Sequence, residues 1–200
     1  TGVTDANLAA VQAAIAATPD DGTGVDTLAE LQNVVNTGAN NANNAAAAAA
    51  ALNAISAAAQ ADNASNSNVP VSVFATAGVS GVDVNNVAAI QSALNSAAVN
   101  GVATDTVAEV QAVVDAYKAI LAEANDTANT AGNSTPDANT GSHPTAAQYA
   151  AIGVDLGAAA TDAETLGLFN AIVGGKQTAD VDTVAEVQAL ANIANAIQLK

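Results

Sequence analysis

Asp105-Thr106-Val107-Ala108-Glu109-Val110-Gln111 decides how this chain is read. The stretch has two close copies, Asp26-Thr27-Leu28-Ala29-Glu30-Leu31-Gln32 and Asp182-Thr183-Val184-Ala185-Glu186-Val187-Gln188. The three start 79 and then 77 residues apart, and a period this long marks a repeat architecture. The stretch also carries a mechanism. Thr27, Thr106 and Thr183 each stand three residues before Glu30, Glu109 and Glu186, the Thr-x-x-Glu form of a capping box. The hydroxyl accepts from an early helical N–H while the Glu reaches back to the Thr N–H. The preceding Asp is expected to add negative charge at the positive end of the helix dipole. Three helix starts follow.

Outward from these starts, a second pattern keeps the same register. Leu8, Val11 and Ile15 recur at helical spacing and predict a helix over residues 4–17. Val87, Ile90 and Leu94 predict its copy over 83–96, and Leu166, Phe169 and Val173 a third over 162–173. Thr4, Asp83 and Asp162 are the expected N-caps. Gly- and Asn-containing linkers separate each of these helices from the capped one that follows. The capped helices are expected to face inward through Leu28, Leu31 and Val35; through Val107, Val110, Val114, Tyr117 and Leu121; and through Val184, Val187, Leu190, Ile193 and Ile197.

A third element precedes the medium helix in two copies: Pro70–Gly78 and Pro144–Gly153. Pro at the start and Gly past the end predict a short helix, with Phe74 and Tyr149 in matching places. Val71 and Val73 leave a strand as the alternative. After Gly38 the first copy enters Ala- and Asn-rich sequence, and residues 42–61 predict a helix that continues the capped one as a rod. Residues 62–68 and 125–142 read as polar linkers, the second as a loop or hinge. The expected fold is all-α: tandem three-helix modules with one long Ala-rich helix. Residues 1–66 form a truncated first module, 67–130 a second and 143–200 a third. Modules this small bury a thin core, and stacking on a neighbour is the expected remedy.

The formal net charge is −16, from 19 Asp and Glu against three Lys and no Arg. A surface this acidic repels phosphate backbones and anionic membranes, which argues against nucleic acid and membrane insertion as partners. No Cys is present, so disulfides and thiolate metal sites are excluded. Ala45–Leu52 is too weakly apolar for a membrane span. The chain has no Met and opens part-way through a repeat, so it is expected to be a fragment of a longer protein.

Asp20, Asp21 and Asp26 around Gly22 and Gly24 are the one calcium candidate. An acidic turn accounts for the same residues, and no other cofactor is expected. Asp105 with Glu109 looks like a carboxylate pair for acid–base work, but capping accounts for every residue of the motif. His143 stands alone in a Gly-Ser-His-Pro loop, which disfavours a transition-metal site. Sequons at Asn63, Asn125 and Asn133 are expected by chance in a chain so rich in Asn, Ser and Thr. With no Trp, no Arg and two Tyr, the usual anchors of a protein-binding face are scarce. No enzyme activity is expected.

The segments VDTVAEVQALANIANAI (181–197) and TDTVAEVQAVVDAYKAILAEA (104–124), with GVTDANLAAVQAAIAA (2–17), resemble the GA-like helical repeats of giant bacterial surface adhesins. Those are three-helix modules similar to albumin-binding modules, strung in tandem in exported proteins of Gram-negative bacteria. The resemblance implies an extracellular, cell-surface location, neighbouring repeats as partners and a role in extending or presenting adhesive domains. It carries no ligand-contacting residue over to this sequence. The Ala-rich stretch departs from a compact module. The alternatives are a helical module that binds a host or matrix protein, and a self-assembling surface or filament protein.

Overall fold

A computed structural model describes residues 2–60, 68–124 and 143–198. The linkers predicted at 62–68 and 125–142, and all three sequons, lie wholly or almost wholly outside the described residues. All regular structure among the described residues is helical: α1 (Leu8–Ala16), α2 (Leu28–Gln60), α3 (Val71–Ala77), α4 (Val87–Leu94), α5 (Val107–Ala124), α6 (Ala146–Ala151), α7 (Ala163–Gly174) and α8 (Val184–Gln198). The strand alternative at Val71 and Val73 is overturned, because both lie in α3. No described helix is long and apolar enough to cross a membrane. The chain divides into two compact units, residues 1–50 and 51–200.

Each capped helix starts where its motif stands. Thr27 N–H donates to Glu30 Oε2 at 3.0 Å, and Glu30 N–H donates to Thr27 Oγ1 at 3.2 Å. Thr106 with Glu109 and Thr183 with Glu186 repeat both bonds within about 0.1 Å. The preceding Asp behaves differently from the dipole expectation. The Glu30 carboxylate beside Asp26, and Glu109 beside Asp105, push those Asp carboxyls above their usual range. Asp182 is also raised, first by burial and then by Glu186. At Asp26 and Asp105 a hydrogen bond from the Asp carboxyl to the capping Glu is the first cause of the rise, and repulsion by the Glu charge comes after it.

The medium helices begin later than their predicted caps in two copies. Asn7 accepts the Thr4 N–H at 2.8 Å and donates to the Gly2 carbonyl; Asn86 does the same with Asp83 and Gly81. A buried Asn amide thus organises a turn of its own, and α1 and α4 start just after it. In the third copy Thr165 occupies the equivalent place. Asp162 there is a direct cap, accepting from the Glu164 and Thr165 N–H groups.

In the first unit, Gly38 does not end the capped helix. It lies inside α2, where α1 crosses, and a Cβ built on it would meet Val11 Cα at 2.7 Å and the Ala10 carbonyl at 2.9 Å. Of the face Leu8, Val11 and Ile15, only Val11 is buried, and Leu28 and Leu31 are exposed as well. Two crossing helices supply no third layer to cover them.

In the second unit the two later copies are not separate bundles. Phe74, Ile90 and Tyr117 of one copy and Tyr149, Phe169 and Val187 of the next belong to a single hydrophobic cluster, which Ile55, Ala58 and Ala59 of α2 also join. Helix α5 packs against α4 of its own copy and against α6 and α7 of the next, while α8 packs against α7 and α4. Val110, Val114 and Tyr117 are buried as expected; Val107, Ile193 and Ile197 are exposed, and Ala191 and Ala194 take the inward places on α8.

Gly38→Ala tests the α1–α2 crossing. Helix propensity alone favours Ala by about 1 kcal/mol. The obstructing atoms at Gly38 are backbone, which cannot rotate away, so a net destabilisation of about 1–3 kcal/mol is expected in thermal melts followed by circular dichroism.

Candidate functional site at the junction of the repeat copies

The densest polar chemistry lies where the second and third copies meet. Helix α5 brings Glu123 to the junction near its C-terminal end, with only 2% of its side chain exposed. His143 Nδ1 stands 2.9 Å from Glu123 Oε1 and 3.2 Å from Oε2. His143 is therefore not a lone loop residue: it ties the start of the third copy to the buried end of α5. Beside this pair, Tyr149 of α6 donates from its hydroxyl to Asn170 Oδ1 at 2.8 Å. Asn170 of α7 donates onward to the Pro144 carbonyl at 3.1 Å. The Tyr149 and Phe169 rings pack with centroids 4.4 Å apart and planes tilted by 39°.

Three further bonds cross the junction. Tyr117 donates to the Val181 carbonyl at 3.2 Å. The Val184 N–H, an early amide of α8, donates to Ser92 Oγ of α4 at 2.9 Å. Ser96 Oγ donates to the Ile152 carbonyl at 3.3 Å. The same serine is close to Gly153, which has φ +90° and where a Cβ would meet Ser96 Oγ at 2.2 Å. Gly is thus required there both by conformation and by space.

The final residue of the repeated motif has a role that sequence reasoning missed. Gln111 accepts the Ser80 N–H at 2.8 Å and donates to the Ser80 carbonyl at 3.1 Å. Gln188 clamps the backbone of Asp155 in the same way, at 2.7 and 2.8 Å. One primary amide thus fixes the loop after the short helix onto the long helix. Gln32 bonds Asn36 one turn along its own helix, a bond that Gln111 and Gln188 also make, to Asp115 and Asn192. The signal was present in the retention of Gln at the end of all three motifs.

Asp21 Oδ1 accepts both the N–H and the hydroxyl of Thr23, at 3.0 and 2.8 Å, and Asp26 lies beside Glu30. No group of three or more His, Cys, Asp or Glu among the described residues could hold a metal ion. The Asp–Glu pairs at the helix starts stay on the surface as capping machinery. A concavity of about 210 Å³ reaches Glu109, but its other lining residues are Ala and Val. A second, of about 420 Å³ between α2 and α3, is lined by Ala, Val, Pro and Asn. Neither brings acids together. The bonds described above join the second and third copies.

No protein-family model, no curated protein and no solved structure matches this chain.

Burial pushes both tyrosine hydroxyls well above the usual tyrosine range, with the Asp182 and Glu186 carboxylates adding to the effect at Tyr117 and Glu123 adding to it at Tyr149. A folded-state value above the unfolded one favours the fold fully below about pH 10 and loses that contribution as pH rises further. Stability is therefore expected to fall above about pH 10, by up to about 1.4 kcal/mol per pH unit for each tyrosine. Helical circular dichroism and tyrosinate absorbance should change together. Tyr149→Phe should cost about 1–2 kcal/mol near neutral pH, because Asn170 Oδ1 loses its donor, and should shallow the alkaline slope.

Proposed function

We propose that this chain is a structural, non-catalytic extender segment of a bacterial cell-surface adhesin. The observation that carries the reading is the junction. Consecutive copies of one repeat pack into a common core through α5, α6 and α7, an arrangement suited to adding copies along a chain. The acidic, Cys-free composition suits export and resists self-adhesion. The adhesin setting comes from the likeness to GA-like repeats.

The second reading is a helical module that binds a host or matrix protein. It is favoured by one feature of the first unit: Leu8, Ile15, Leu28 and Leu31 are exposed, Leu28 to 83%.

Small-angle X-ray scattering separates a spacer from an integrated domain. A compact 200-residue chain has a radius of gyration of about 16–17 Å. The spacer reading expects about 20 Å or more. A value at the compact limit would overturn it.

A further inference from the structure

Helices α5 and α8 are copies of each other in a register shifted by 77 residues. Through the first half their burial agrees. Val110 and Val187 are both buried, as are Val113 and Leu190, Val114 and Ala191, and Tyr117 and Ala194. On one face they then part. Ala116 and Ile120 are 1% and 0% exposed, whereas Ile193 and Ile197, at the same positions, are 49% and 52% exposed. The helices differ there in what packs on them. The following copy lays α6 and α7 against α5. No described helix packs on α8 as α6 packs on α5.

The side chains themselves point the same way. Ile193 and Ile197 are one turn apart and form a stripe on α8. Their exposed neighbours on α8 are Asn192, Ala196 and Gln198. Covering both would take a continuous apolar stripe out of water. Before and after Ala116 and Ile120 on α5, Ala112 lines a concavity with Ala150 and Ala151 of α6, and Glu123 bonds His143 just ahead of α6.

Resting on the spacer reading, we propose that Ile193 and Ile197 are the docking stripe for the short helix of a further copy of this repeat, placed after α8. The occupant is a segment of the His143–Gly153 kind: a capped helix of about two turns, an aromatic on its buried face and a Gly stop. The stripe would then continue the α5–α6 interface by one period.

The test compares the 200-residue chain with the same chain extended after Lys200 by a second copy of residues 125–200. Amide hydrogen exchange is followed at Ile120 and Ile197. Docking within one chain benefits from high effective concentration, so exchange at Ile197 is expected to slow at least about tenfold and approach that of Ile120. Ile193→Asp with Ile197→Asp in the extended chain should abolish the slowing. Unchanged exchange at Ile197 overturns the proposal, whether the added copy folds or stays unfolded. Slowing that appears in the unextended chain as its concentration is raised also overturns it, because the stripe then pairs with a second molecule. Scattering from the extended chain reads the spacer reading separately. A radius of gyration that grows without protection at Ile197 removes this docking stripe and leaves the spacer standing.

Discussion

The structure of residues 51–200 depends on the long capped helix having two apolar faces. One face of α5 meets α4 of its own copy, and another meets α6 and α7 of the next. A helix with a single apolar stripe closes a small bundle and stops. A helix with two stripes must be covered twice, and only a neighbouring copy is available to cover the second. The thin core of each copy makes this necessary: neither copy has enough large side chains to exclude water alone. Merging the cores surrounds Tyr117, Ile120, Tyr149 and Phe169 completely.

The polar groups at the junction follow from that packing. Once α6 lies on α5, Glu123, Tyr149 and Asn170 leave water, and each finds a partner. Glu123 has His143, Tyr149 has Asn170, and Asn170 has the Pro144 carbonyl. Buried polar groups left alone cost more than their bonds return when made, so these contacts act chiefly as selectors of one relative placement of the copies. Apolar contact alone would tolerate a slide of the short helix along α5. The Gln111 and Gln188 clamps do the equivalent work within each copy, holding the loop after the short helix to the long one.

The first unit shows the same sequence pattern with a different outcome. Leu8 and Ile15 match Val87 and Leu94, and Leu28 matches Val107 and Val184. Burial nonetheless ranges from Leu28 at 83% exposed to Leu94 at 0%. Hydrophobic periodicity states which face a helix can bury. Whether it is buried depends on a partner that periodicity does not name.

The sequence by itself determined the helical class, the places where the capped helices begin, and the Gly stops after the short helices. These are local matters, decided within about four residues by side-chain-to-backbone bonds and by the conformational freedom of Gly. Only the tertiary structure decided that the copies share a core, that α1 crosses α2 at Gly38, and that His143 has a buried partner. Each of these turns on residues distant in sequence meeting in space: Val11 with Gly38 across 27 residues, Glu123 with His143 across 20, Tyr117 with Val181 across 64. A repeat makes such meetings harder to read from sequence, because equivalent residues offer the same pattern to a neighbour in one copy and to solvent in another. Ile120 is buried and Ile197 exposed although they stand at the same position of the repeat.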